Sequence, residues 1–265
     1  MADTARTKRA KAGVYAYHHQ DITWQDANKS GTRLGGIRMD KDAGLFLGYL
    51  SFERFAETGL HQHLGPASSY LLQGALTDYQ GPTVAGQCGI NLKGATHNAI
   101  AYEPTLLCAR LDAPVIYAEA AEADEGVPVH TGAGSGDIIN PNPEAMPEVH
   151  VTVADVPWLP TAAAGTTRRN LWDYDTTGMD RRMRQIQMLP GTSLPPLRLT
   201  GLTDIFLMSG DLTISGESAG NGDFFVMEPD REVEISTRYG ANLFVWAEGR
   251  SVWADDETKP DLWGF

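Results

Sequence analysis

Cysteine is scarce in this sequence: Cys88 and Cys108 are the only two among 265 residues. Two thiols cannot build a disulfide framework or a four-sulfur zinc site, and their scarcity suits a reducing compartment. They read as buried free thiols, the common state of an isolated cysteine. Positive charge is also short, with 21 Lys and Arg against 34 Asp and Glu and a net charge of −13. Phosphate backbones need clustered cations, so this acidic balance excludes a nucleic-acid partner. Long hydrophobic runs are missing as well. No segment approaches the ~20 apolar residues of a membrane span. The basic N-terminal "MADTARTKRAKAG" is not followed by the apolar region of a secretory signal. The chain is expected to be soluble and cytoplasmic, with no membrane partner.

Helical periodicity is weak throughout, whereas short strand-like runs recur. "LFLGYLSFERF" (45–55), "SYLLQGALTDY" (69–79), "TLLCARL" (105–111), "DIFLMSGDLTI" (204–214) and "NLFVWAE" (242–248) are rich in β-branched and aromatic residues. Punctuated by 28 Gly and 15 Pro, they predict an all-β sandwich or barrel.

The runs also repeat. "DITW" at 21–24 returns as "DVPW" at 155–158, and "YLLQGALT" at 70–77 returns as "FLMSGDLT" at 206–213. Gly86 finds Gly222, and "TLLCARL" finds "NLFVWAE" in the same relative place. Offsets that agree so closely over a hundred residues imply two copies of one β unit. The expected organisation is a flexible tail over 1–16, a first barrel over 17–118 and a linker or covering loop over 119–148. A second barrel over 149–250 and a C-terminal tail over 251–265 complete it. His130 and His150, in or beside the linker, read as exposed or structural, and His18 with His19 as satisfied polar residues.

Chemistry concentrates in "GLHQHLGPASSYLLQG", residues 59–74. His61 and His63 have the period-two spacing that sends two side chains to one face of a strand. A tight metal site needs a third ligand, and "NLKGATHNAI" supplies His97 three residues after a turn glycine at Gly94. The run from His61 to Gly74 contains no Asp or Glu. Asp78 and Gln73 are the candidates for a fourth ligand. Tyr70 and Tyr79 are candidate proton donors, and Gln73, Tyr102 and Arg110 candidate pocket residues.

With these residues in view, the sequence resembles the cupins, and the repeat makes it resemble a bicupin: two tandem double-stranded β-helix, or jelly-roll, barrels. The first cupin motif appears as Gly59, His61, His63 and Gly74, without its glutamate; Ala67 and Ser68 stand where that residue would fall. The second motif appears as Leu92, Gly94 and His97, with its proline replaced. "DITW" and "LLQGALTDYQG" bring the chain near the cupin domain of ChrR-type anti-sigma factors, and near small dioxygenases that cleave diketones and hydroxyacetophenones. In the second copy the motif is lost: "LPPLRLTGLTD" replaces His-x-His, and the His97 region falls near Glu232 and Val233. The second barrel is expected to hold no metal, leaving Arg198 and Asp204 without an assigned role.

Three neutral imidazoles suit Fe, Zn, Ni or Cu and leave a divalent metal its full charge. The resemblance implies Fe(II), with Zn, Ni and Mn as alternatives. It also implies a dioxygenase that takes a small chelating substrate and O2, cleaves a carbon–carbon bond beside a carbonyl, and works as a homodimer. A metal-dependent isomerase or lyase using the same histidines is the first alternative, and a zinc-holding sensory cupin the second. The sensory module of that family follows a helical sigma-binding segment, for which about 16 residues ahead of the barrel leave little room.

Overall fold

A computed structural model of the chain describes residues 8–9, 13–117, 148–174 and 180–265. Of the linker expected over 119–148, all but Glu148 lies outside the described residues, and His130 with it. Among the described residues the regular structure is almost all strand, with single-turn helices at His19–Asp21 and Val153–Asp155. The chain divides into two compact units. Among the described residues, those from Thr23 to Val153 belong to one, and those from Gly13 to Ile22 join those from Ala154 to Phe265 in the other.

The first unit is built on an antiparallel seven-stranded sheet. Its order is Glu148–Thr152, Gln87–Asn91, Ala67–Gln73, Thr105–Asp112, Leu45–Phe52, Thr32–Asp40 and Gln25–Asp26. A three-stranded sheet, with His61–His63 between Thr96–His97 and Val115–Tyr117, completes it. The second unit repeats the plan, with Leu197–Leu199 between Arg231–Val233 and Ser251–Trp253. The jelly-roll duplication expected from the repeat is therefore present.

Two edges of the expected organisation are corrected. Val14–Tyr17, placed at the end of a flexible tail and the start of the first barrel, is a strand of the second unit, paired with Phe224–Met227. Val14, Ala16 and Tyr17 are buried there, which anchors a segment too short to announce itself by periodicity. The expected C-terminal tail is also structured. Ser251–Trp253 pairs with Leu197–Leu199, and Trp253, Leu262 and Trp263 are buried in the second core.

The repeat extends to backbone geometry. Gly74, which follows Ala67–Gln73, and Gly210, within Thr203–Ile214, both have positive φ, +74° and +90°. A Cβ at Gly74 would meet the Pro104 carbonyl at 2.5 Å, and one at Gly210 the Gly240 carbonyl at 1.9 Å. Both positions therefore admit only glycine.

Side-chain size separates the two interiors. In the first unit Ala109 lies across from Gly48 and Ser69, and Leu107 from Leu50 and Leu71. The small residues leave a cavity of about 510 Å³. In the second unit the same register holds Val245 across from Arg184 and Ile205. The fully buried Arg184 donates through Nε to the Trp263 carbonyl, 2.6 Å away. Leu262 and Trp263 join Ile186, Leu197, Leu199 and Val233 in one apolar cluster. Burying each such large apolar side chain favours folding by roughly 1.5–3 kcal/mol, so the second interior serves stability where the first keeps space.

Candidate metal centre

His61–His63 lies mid-sheet, and its alternation turns both imidazoles inward while Gln62 points away and donates to Thr96 Oγ1 at 3.1 Å. Gly94, at φ +93°, donates its N–H to the His63 carbonyl at 2.8 Å and turns the chain back. His97 then pairs in register with His61 on one side, and Tyr117 pairs with it on the other. All three histidines are buried. The three ligands expected from the sequence are brought together.

Their Nε2 atoms converge. His61 Nε2 and His97 Nε2 each lie 3.2 Å from His63 Nε2. The outer nitrogens fix the tautomers: His61 Nδ1 donates to the Gly59 carbonyl at 2.7 Å, and His97 Nδ1 faces Asp78 Oδ2 at 3.2 Å and Glu148 Oε1 at 3.1 Å. With their protons committed outward, His61 and His97 aim lone pairs at the same point. A cation placed ~2.1 Å from each of two such nitrogens separates them by about 3.2 Å at an angle near 100°. Burial, with the charge of His97, lowers the His61 pKa to about 3 against the opposing hydrogen bond to Gly59. Burial and both neighbouring histidines likewise hold His63 well below the usual range. Neutral imidazoles at metal-ligand spacing are what a divalent ion requires.

Asp78, a candidate fourth ligand, is placed behind His97 rather than beside the three Nε2 atoms. Burial raises its pKa, but hydrogen bonds from His97 and the Gln80 amide outweigh that and leave it lowered. Glu148 shares His97 Nδ1 with it. Its side chain is fully buried, Gln80 Nε2 donates to Oε2 at 3.0 Å, and burial raises its pKa despite the charge of His97 and a Tyr79 hydrogen bond. Two carboxylates thus meet one imidazole of the cluster from its far side, the arrangement that orients a ligating histidine in metal sites.

The other candidates fall elsewhere. Gln73 is exposed and lines a separate hollow with Trp24 and Arg33. Tyr70 pairs with Cys88 and Cys108 on the sheet face opposite Leu107 and Ala109, which line the cavity. Arg110 shares that opposite face, buried and ion-paired through Nε to Asp112 at 3.0 Å. Tyr102 is exposed. Tyr79 sits outside the cavity, where burial and its contact with Glu148 push its phenol pKa up. One sequence does not tell which face of each strand turns inward, and Tyr79 and Tyr102 lie outside the strands.

Three residues at the site were not anticipated. Glu148 enters on Glu148–Thr152, paired with Gln87–Asn91, and the alternation in "EVHVT" was the available signal. Tyr117 stacks beside His61 with ring centres 5.7 Å apart, and Lys29 Nζ lies 5.2 Å from the centre of the Tyr117 ring. In the second unit Leu197, Leu199, Val233 and Trp253 occupy the register positions of His61, His63, His97 and Tyr117. The loss of the motif there is complete.

Two jelly-roll barrels, one carrying a three-histidine cluster at its core, define a bicupin. The chain belongs to the family of ChrR cupin-like domains, whose profile matches residues 9–115 and again 146–247. No curated protein sequence matches it. Among solved structures, a candidate dioxygenase from Nostoc punctiforme superposes with a TM-score of 0.70 at 10% identity, over 94% of this chain and 89% of that one. Oxalate decarboxylase from Bacillus subtilis superposes with a TM-score of 0.63 at 13% identity, over 96% of this chain and 81% of that one. Another structure of that decarboxylase, concerned with its Mn(II) centres, gives 0.63 at 12% identity over 93% and 81%. At these identities the likeness is one of fold.

Proposed function

We propose that the chain is a non-heme Fe(II) dioxygenase that cleaves a carbon–carbon bond beside a carbonyl in a small chelating substrate. The observation that carries this reading is the three-histidine cluster opening directly onto the cavity, with both nearby carboxylates held behind His97. His61, His63 and His97 hold the ion. Bound there, a divalent metal supplies Lewis acidity and adjacent open positions for substrate oxygens and dioxygen. Asp78 and Glu148 keep the His97 proton on Nδ1, so its Nε2 lone pair stays on the ion. Leu50, Leu107 and Leu111 exclude water from the bound substrate, and Ala67, Ser69 and Ala109 leave room for it. A cytoplasmic homodimer belongs to the same proposal; among the described residues no helix is long and apolar enough to cross a membrane.

The test is oxygen uptake by anaerobically iron-loaded protein, offered β-diketones, α-hydroxyketones and hydroxyaryl ketones. Consumption that depends on substrate and is lost in His97→Ala supports the reading. Stoichiometric iron with no uptake across the panel defeats it. A redox-silent lyase or isomerase is a second reading, favoured by Tyr117, an aromatic hydroxyl that lines the cavity. It predicts turnover under argon. The family membership favours a zinc-holding sensory role, which predicts tight zinc and no turnover.

A further inference from the structure

The two units part at one row of the shared ladder. In the first, Ala109 lies between Gly48 and Ser69; in the second, Val245 lies between Arg184 and Ile205. Arg184, Val245 and Ile205 are fully buried, and Val245 and Ile205 share one apolar cluster with the register counterparts of the three histidines. A Cβ at Gly48 would meet the Gly35 carbonyl at 2.2 Å, so the backbone itself requires that glycine. Ser69 and Ala109 already carry a Cβ, and nothing in the ladder holds them small. Both line the cavity whose wall carries His61, His63 and His97.

Away from the histidines the wall carries Phe46, Leu50, Leu76, Leu107 and Leu111. The charged side chains along it are engaged by the protein or by solvent. Lys29 holds its ammonium over the Tyr117 ring, 5.2 Å from its centre, and Asp26 turns toward Arg33, 3.6 Å away. Asp40 accepts the amides of Asp42 and Ala43 at 3.1 Å, and Lys41 is exposed. The space has a volume of about 510 Å³. At ~30 Å³ per water that is room for roughly seventeen non-hydrogen atoms. Pentane-2,4-dione, the smallest β-diketone, would leave more than half of it unfilled.

We infer that the site takes a chelating carbonyl compound with a long uncharged arm: two oxygens on the ion, and an apolar chain or ring of roughly eight carbons beyond the chelating head. Ser69 and Ala109 set the length of that arm. A bulkier pair would occupy its space, as Ile205 and Val245 fill the same row of the second unit. The inference rests on the three histidines being the metal centre, and it deepens the proposed function by naming what the carbonyl is attached to.

The test is calorimetric binding to zinc-loaded protein, which separates recognition from oxygen chemistry. The ligands are 2,4-alkanediones, lengthened one carbon at a time from pentane-2,4-dione. Affinity should rise about threefold per added methylene and level off after roughly eight. A carboxylate at the end of a long arm should bind at least tenfold more weakly than its methyl ester, because it would be buried without a partner. Ser69→Ile and Ala109→Val should each bring the plateau about two carbons earlier, matching the atoms each adds to a close-packed wall. Both should leave the affinity for pentane-2,4-dione, which also reports correct folding, unchanged. Affinity independent of arm length, no penalty for the carboxylate, or a plateau unmoved in the folded variants overturns the inference, and the wild-type series decides alone where a variant does not fold. If iron-loaded protein leaves oxygen untouched while zinc-loaded protein follows arm length, the oxygenase reading fails and this one stands. Oxygen uptake equal for short and long diones, with flat affinities, does the reverse.

Discussion

Leu197 stands in the second unit where His61 stands in the first, 136 residues earlier in the chain. Across the ladder His61 is flanked by His97 and Tyr117, and Leu197 by Val233 and Trp253. The ladder is the same and the chemistry is removed. One copy keeps polar side chains on a cavity wall, and the other replaces them with apolar ones buried in its core cluster.

His97 is the ligand that depends most on the fold, since it arrives on a separate two-residue strand. Replacing it with Ala leaves two imidazoles and removes the anchor of Asp78 and Glu148. Protein purified without added metal should carry a transition metal in wild type and none in His97→Ala, read by elemental analysis. Stoichiometric metal in the variant would move the centre elsewhere.

The duplication and the three ligands were legible because they are local in sequence: a period-two pair, a turn glycine, and a repeat at constant offset. Glu148 was not, because it approaches His97 from a strand 51 residues later, beyond a segment whose composition reads as loop. Tyr70 and Arg110 failed for a different reason. Both faces of Thr105–Asp112 are buried, so the run carries no alternation to say which side meets the cavity. The C-terminal residues read as a tail because Trp253, Leu262 and Trp263 are separated by charged and turn residues rather than set in a strand pattern.

Glu148 orients His97, so its loss should weaken metal binding without removing a ligand. Glu148→Ala is expected to lower metal affinity about 10–100-fold, the usual cost of losing such a partner. Glu148→Gln should lower it less, because an amide oxygen can still accept the Nδ1 proton. Competition against a chromophoric chelator gives both values. Equal affinity in all three proteins would remove Glu148 from the site.

Trp263 tests whether the end of the chain is structural. It is buried in the second core, and its carbonyl accepts from Arg184. Trp263→Ala should cost about 3–5 kcal/mol in urea unfolding, the range for emptying a buried aromatic site. A loss of under ~0.5 kcal/mol, typical of surface positions, would return the segment to the status of a tail.

Asp223 ties the N-terminal segment to the second unit and gives stability a pH dependence of known sign. Its Oδ1 accepts the His19 amide at 2.8 Å, its Oδ2 accepts the Gly220 amide at 2.8 Å, and the imidazoles of His18 and His19 lie at 3.0 and 2.8 Å. Burial raises the carboxyl pKa, but these hydrogen bonds outweigh it and leave it below the usual value. A carboxyl held lower in the folded chain than in the unfolded one, where it is about 3.9, stabilises the fold above that pH. The contribution disappears as pH falls through the folded value. Asp223→Asn should therefore lower the melting temperature most at pH 5 and above, by the equivalent of about 1–3 kcal/mol. The two melting curves should converge toward pH 3. A difference that stayed constant from pH 7 to pH 3 would show that the carboxylate charge contributes nothing and that shape alone holds the segment.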